Sequence, residues 1–428
     1  MLRPPNRLGM AMALVLALVT PRAALAQGRE TIIEWNRILL ASMGTPGVLD
    51  ATVFFTRPPA VMNVAIFEAM NSITPAYMAY VDRLPVTAGA SPDAAAAQAA
   101  HDVLVGMFPS QQSVYDAALA AQLNRIPGAA AEAGARVGAA AARAILSLRA
   151  NDGWNRRPSE YILPSVAGFW QPVPPQNTAA AFTHYPDVMP FVIGHARQFL
   201  VGPPPSLTSA AYAADFNEAK AIGSATSTTR TAEQTLIARL FAGLAPATTY
   251  SVPLMWNVLM RDLAQERGLS ALETARFFAL TNMAWHDALH VSFYGKYLYG
   301  FWRPTTAIRE AARDGNAATE ADPNWLSLIP SPPYPTYPGN YACASGAMTR
   351  IFERVFGRDN IPLSMTWATP DGGTIRRSYN GFRQLADEAA RSRVYGGIHF
   401  NFDSTASLGV CIPLADYVFE NVLRPRLP

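Results

Sequence analysis

The chain has 428 residues, half of them hydrophobic and 15% charged, with a formal net charge of +3. That is enough apolar material for a large buried core, in one big domain or two. So small a net charge, with no Lys/Arg-rich run and no aromatic-basic stripe, argues against nucleic acid or an anionic membrane surface as a partner.

The first residues carry early arginines, Arg3 and Arg7, then an apolar run from Met10 to Val19, then the small-x-small pattern Ala24-Leu25-Ala26. This predicts a secretory signal peptide over residues 1–26, cleaved before Gln27. The apolar run is too short to span a bilayer, and no later stretch is long and apolar enough for a transmembrane helix. The mature chain is therefore expected to be exported, periplasmic or secreted. Such a compartment permits a disulfide between Cys343 and Cys411 but does not require one. Two cysteines without CxxC or CxxCH spacing argue against iron–sulfur clusters, c-type haem and zinc ribbons.

Two regions follow. In residues 27–205, Ser91-Pro92-Asp93 marks a helix start: an N-cap, a proline at the first helical position and an acid in the first turn. The Ala-rich text to about Ala150 is predicted to form three helices, separated at Phe108-Pro109-Ser110 and Ile126-Pro127-Gly128. Val103, Leu104, Leu119, Leu123, Ile145 and Leu148 recur at helical spacing and should be packed. From Asn151 to Pro205 proline and aromatics dominate. This predicts a long ordered crossing segment, because Trp170, Phe182 and Phe191 would not be left in water. In residues 206–428 helices resume near Ser209. Thr231 with Gln234, and Ser270 with Glu273, are capping boxes. Strand signals are scarce. The fold class is all-α: helical bundles with long ordered loops.

Three stretches carry candidate chemistry. In "WHDALH", His286 and His290 share a helix face at a zinc-pair spacing, but Asp287 is shorter than the glutamate such a site needs and no third ligand follows. In "KYLYGFWRP", Lys296 and Arg303 are seven residues apart, so one continuous helix would point both the same way. In "RSRVYGGIHFNFD", Arg393 precedes His399, and Gly396-Gly397 between them are expected to approach a ligand and offer it amides. Asp403, four residues after His399, can fix the imidazole tautomer and leave the other nitrogen as nucleophile or ligand. Between these lies "SPPYPTYPGNYACASGA", a proline-stiffened loop entering a helix near Ala342, whose N-terminus suits an anion. Three cations, an oriented histidine and a helix N-terminus suit phosphate or vanadate. The bland alternative is a salt-bridge network of these cations with Asp287 and Asp403.

Lys296-x6-Arg303-Pro304, then a proline-centred loop, then Ser392-Arg393-x5-His399 resembles the three-part signature of the vanadium-dependent haloperoxidase and type 2 phosphatidic acid phosphatase superfamily. "IIEWNRILL", "PPSLTSAAYAADFNEAKAIGS", "STTRTAEQTLIARL" and "FWRPTTAIR" resemble its bacterial exported haloperoxidase-like branch, so the likeness covers most of the mature chain. The resemblance implies an all-α fold of helical bundles. It implies that Lys296, Arg303 and Arg393, with Gly339 and Asn340 of the middle motif, bind the oxyanion. His399 would hold the vanadium of vanadate or act as a phosphatase nucleophile, and Asp403 would orient it. Peroxide and halide, or a small phosphoester, are the implied partners. The middle motif departs from the family's Pro-Ser-Gly-His: here it is Pro338-Gly339-Asn340-Tyr341. Tyr341 takes the place of the acid/base histidine, and a lost acid/base costs ~10²- to 10⁴-fold in rate. His286 or His290 might then stand in as an auxiliary acid/base. Three readings follow: a vanadium haloperoxidase, a phosphomonoesterase using a phosphohistidine at His399, and a degenerate oxyanion-binding or scaffold protein.

Overall fold

The computed structural model describes residues 20–49, 55–81, 84, 87–126, 128–243, 251–369 and 371–426. Most of the expected leader, residues 1–19, lies outside these; Thr20 onward belongs to the first helix. Along the chain come α1 (Thr20–Gly44), α2 (Arg57–Ile73), α3 (Pro92–Met107), α4 (Gln112–Leu123) and α5 (Gly128–Leu148). After the crossing segment come α6 (Ala210–Gly223), α7 (Ala232–Ala242), α8 (Ser251–Glu266), α9 (Ala271–Tyr299) and α10 (Pro304–Arg309). The last elements are α11 (Asn340–Phe356), the strands β1 (Leu363–Ala368) and β2 (Thr374–Tyr379), α12 (Phe382–Tyr395) and α13 (Asn401–Asn421). The fold is all-α.

Local chemistry sets these boundaries. Ser91 accepts from the Ala94 amide at the start of α3, and both capping boxes close reciprocally at α7 and α9. The helix breaks near Pro109 and Gly128 fall where expected. The small antiparallel hairpin β1–β2, with Leu363 opposite Tyr379, was not anticipated. Its signal is the alternation of buried Leu363, Met365 and Trp367, a period of two. Leu148 is 47% exposed, unlike Val103, Leu104 and Ile145, because it sits in the last turn of α5 where neighbours run out.

Two helices occupy the centre. α2 is buried from Arg57 to Asn71 and α9 from Thr274 to Phe293, so both are enclosed on all faces. They pack on each other; α3 and α5 cover α2, and α11 and α13 cover α9. One apolar core runs from Ile32 to Leu423 and draws on both sides of residue 205. A second, smaller cluster gathers Tyr212, Phe216, Trp302, Phe400 and Phe402.

The crossing segment is ordered and tied down. Trp170 and Phe191 are buried, and Phe182 packs against the core. The Asp287 carboxylate accepts from the Phe191, Val192 and Ile193 amides at 2.6, 2.8 and 3.1 Å. The Trp170 amide donates to the Gly300 carbonyl, and the Trp302 amide to the Gly168 carbonyl. These bonds fix the exit of α9. A disulfide joins Cys343 of α11 to Cys411 of α13, with Cα atoms 5.1 Å apart. No helix of the described residues is long and apolar enough to cross a membrane.

Candidate functional site

Lys296 and Arg303 do not share one helix. α9 ends at Tyr299, Gly300 takes a left-handed φ of 58°, and Arg303 is the extended N-cap residue of α10. The glycine reverses the chain, as a helix-ending glycine does. The two cations still converge, flanking the Tyr334 ring at 5.2 and 5.0 Å from its centroid. Lys296 Nζ donates to the carbonyls of Pro335 and Thr336 at 2.9 and 2.8 Å. Arg303 Nε donates to the Tyr334 carbonyl and Nη1 to the Ile398 carbonyl. Both side chains are fully buried.

His399 precedes α13, and Asp403 lies in that helix's first turn. Asp403 Oδ2 stands 2.8 Å from His399 Nδ1 and accepts from the Phe400 amide at 3.1 Å. One carboxylate thus caps the helix and holds the imidazole with Nδ1 protonated. His399 Nε2 then carries no proton and accepts from Arg303 Nη1 at 3.2 Å. Thr336, which sequence reasoning missed, places Oγ1 2.5 Å from Asp403 Oδ2 and 3.0 Å from His399 Nδ1. Nothing local marks it; its role arises only when the proline-rich loop folds over α13.

Arg393, near the end of α12, donates from Nη1 to the Phe241 carbonyl and lies over the Tyr341 ring, 4.9 Å from its centroid. Tyr341 opens α11 beside Asn340, two residues earlier than the expected start at Ala342. Its hydroxyl accepts from Trp256 Nε1 at 3.3 Å. A cavity of about 140 Å³ is lined by Arg393, His399, Asn340, Tyr341 and Tyr334 at its polar end and by apolar side chains elsewhere. Lys296 and Arg303 stand behind Tyr334 and His399.

Four expectations fail on geometry. The Gly396 and Gly397 amides are committed to the Ser392 and Val394 carbonyls. Gly397, at φ 73°, faces Gly223 of α6, where a Cβ would lie 2.3 Å from the Gly223 carbonyl oxygen. These glycines therefore admit a neighbouring helix, not a ligand. The Gly339 amide likewise donates to the Asp403 carbonyl, at 3.0 Å, so it braces α13. His286 and His290 face the crossing segment: His286 Nδ1 lies 3.2 Å from the Tyr185 hydroxyl, and His290 Nδ1 lies 3.3 Å from the Tyr185 carbonyl oxygen. It is Trp285 and Leu289 of that helix that line the cavity, so neither histidine is an auxiliary acid/base there. Asp287, occupied by three backbone amides, is no partner for the cations.

Positive charge dominates the electrostatics around His399. Burial and the charge of Arg303 hold the Lys296 amine well below its usual value. Burial brings Arg303 down to about 10. Burial and the three cations hold His399 far below 6.5, so Nε2 stays unprotonated. Burial pushes Asp403 up to about 7, against the pull of the Thr336 hydrogen bond and the Lys296 charge. Among the described residues no carboxylate forms an ion pair with any of the three cations, and Arg303 Nη2 and Arg393 Nε are buried without a partner. Buried charges of this kind are stable only with a counterion.

Residues 276–426, which hold Lys296, Arg303, Thr336, Tyr341, Arg393, His399 and Asp403, match a family model described as the VCPO second helical-bundle domain. Over these residues the chain resembles the vanadium haloperoxidases of that family. It is 27% identical over 278 residues to the vanadium chloroperoxidase of Curvularia inaequalis, covering 51% of this chain and 45% of that relative. The match therefore spans less than half the relative's length. Among solved structures it resembles one described as the first bacterial vanadium-dependent iodoperoxidase, at a TM-score of 0.77 and 22% identity, over 95% of this chain and 98% of that one. It also resembles a holo bacterial vanadium-dependent chloroperoxidase, at 0.68 and 16%, over 89% and 94%. These structural likenesses bear on the fold. Vanadate or phosphate, the group of the resembled superfamily, fits the donors present: two orphaned guanidinium N–H groups beside a buried, unprotonated imidazole nitrogen that lines the cavity. The superfamily's middle-motif histidine is replaced by Tyr341, whose phenol burial pushes above its usual range.

Proposed function

We propose that the chain is an enzyme of the vanadium haloperoxidase type, oxidising halide with hydrogen peroxide. One observation carries this reading: buried Lys296 and Arg303 and half-buried Arg393, none of them paired with a carboxylate, gather around His399, whose Nε2 carries no proton. Arg303, Arg393 and Lys296 would hold the oxygens of vanadate, and His399 Nε2 would take its vanadium. Bound vanadate supplies an electrophilic centre at which peroxide becomes an oxidant for halide. The protein's own groups do the rest. Asp403 and Thr336 keep the Nδ1 proton of His399 in place. The cations neutralise the anion in a site closed to water, where their charges act strongly. Halide, peroxide and one proton give hypohalous acid and water. Tyr341 can donate a hydrogen bond, but its phenol keeps its proton at neutral pH, so the step is slow and iodide, the easiest halide to oxidise, is turned over first.

The test is an assay with orthovanadate, hydrogen peroxide and each halide. The expected result is vanadate-dependent oxidation, fastest for iodide and lost in His399→Ala. No halide oxidation, with vanadate-inhibited hydrolysis of a phosphomonoester, would replace this reading by the phosphatase one. Tight orthovanadate binding with neither activity would leave a non-turnover oxyanion binder. We also infer export of the mature chain; the leader pattern of residues 1–26 and the Cys343–Cys411 pairing support it.

A further inference from the structure

Three helices meet at one point far along the chain from the oxyanion motifs. Gly28 of α1 is buried against Asp93, in the first turn of α3, and against Ala271, the first residue of α9. A Cβ at Gly28 would lie 2.5 Å from Asp93 Oδ1 and 2.9 Å from the Ala271 Cβ, so only glycine lets the three approach. Arg29 Nη1 donates to the Leu269 carbonyl at 3.4 Å and holds α1 in this register. Among the described residues half-buried Asp93 has neither ion pair nor hydrogen bond, and burial alone pushes its carboxyl up. It lines a cavity of about 410 Å³ with Arg125, which does not pair with it, and Arg37, which pairs with Glu34 instead.

Helical Cα–Cβ bonds tilt toward the helix N-terminus, so the carboxylate oxygen off Gly28 lies over the turn that precedes it. That turn holds the bond that the leader pattern marks for cleavage. α1 runs through it unbroken, from Thr20 to Gly44. Hydrolysis of Ala26–Gln27 by one water leaves a carboxylate on Ala26 and an amine on Gln27, which takes a proton at neutral pH. It also removes the carbonyls of residues 24–26, the helical acceptors for the amides of residues 28–30. The new nitrogen is roughly 4 to 5 Å from the Gly28 Cα by covalent geometry. Positive charge and freed amides then face a carboxylate that had no partner, and an anion is favoured at a helix start.

We propose that processing before Gln27 creates a lock: the new α-ammonium group pairs with the Asp93 carboxylate and fastens the start of α1 to α3. The inference rests on the leader reading and adds what cleavage does to the fold. The uncleaved chain has a neutral peptide nitrogen at this position, so the lock closes only after cleavage. A paired ammonium is also withdrawn from the reaction open to a free N-terminal glutamine. There the amine attacks the side-chain amide carbon, ammonia leaves with the amine's proton, and a five-membered lactam closes.

The experiment compares two chains, each released from a tag that leaves no extra residue: residues 27–428, and residues 24–428, whose amine is three residues removed. Both are unfolded in urea near pH 7, with and without Asp93→Asn. The substitution is expected to lower the folding equilibrium constant about fivefold or more in the first chain and to leave the second within about twofold. Intact mass followed over days gives a second readout. Loss of ammonia from Gln27 is expected to be about fivefold or more faster in Asp93→Asn, because pairing lowers the unprotonated fraction that reacts. Equal effects of the substitution in both chains, or cyclisation at one rate with and without Asp93, would overturn the proposal. Failure of the leader reading is seen separately: the full chain, exported from a bacterial host, would begin at a residue other than 27.

Discussion

Tyr341 is the residue at which this chain departs from the motif it otherwise resembles. A phenol held above its ordinary range cannot exchange a proton usefully near pH 7, whereas an imidazole near ~6.5 can. Tyr341→His is therefore expected to raise halide-oxidation kcat by ~10²-fold or more and to introduce a pH limb near the histidine's own titration; stopped-flow rates between pH 5 and 9 check both. Thr336 acts through other groups. Its hydroxyl donates to a buried carboxylate, so Thr336→Val leaves that carboxylate short of a donor, at about 1 to 3 kcal/mol. Orthovanadate affinity in this variant is expected to fall ten- to a hundredfold, with Thr336→Ser restoring it. The contrast between these residues shows what sequence carries. Lys296, Arg303, Arg393, His399 and Asp403 were legible because few residue types perform their chemistry and their order is fixed. Thr336 was not, because a threonine in a loop has no signature until the loop meets α13. Gly339, Gly396 and Gly397 misled because a glycine reads the same whether it admits a ligand or another backbone.

Elements carry the site through two braces. The disulfide pins α11, which bears Tyr341, to α13, which bears Asp403. Closing a loop of sequence separation 68 stabilises the fold by about 4 kcal/mol in the chain-entropy model. Cys343→Ser with Cys411→Ser is expected to lose about that much in denaturant unfolding, and reductant should have the same effect on the native chain. The second brace is α2, whose Glu68 is buried and accepts from the Tyr80 amide at 2.7 Å. Burial pushes this carboxyl from 4.5 up to about 7. The folded chain then keeps a proton that the unfolded chain releases, so this contribution is full below about 4.5 and lost as pH rises through about 7. The loss is at most about 3 kcal/mol. Glu68→Gln keeps the acceptor and is expected to abolish that slope, read as unfolding midpoints between pH 4 and 8. The helix starts at Ser91, Thr231 and Ser270 were legible because caps are local chemistry. The break between Lys296 and Arg303 was also written locally, in Gly300. It was overlooked because the aromatics around it read as a continuing helical face.

At the scale of the molecule, an apolar chain of low charge sinks three cations behind one carboxylate in the middle of a helical fold. Composition announced the large core and the all-α class. It did not announce that the crossing segment anchors on Asp287 and turns His286 and His290 away from the site, since that depends on packing far along the chain. Burying like charges together is unfavourable unless something negative joins them, and this is the physical argument for the oxyanion proposed above. Calorimetric titration of orthovanadate into residues 27–428 tests this most directly. One-to-one binding that weakens a hundredfold or more in His399→Ala is the expected result. A wild-type chain that binds no orthovanadate at all would contradict it, and with it both enzyme readings of the site.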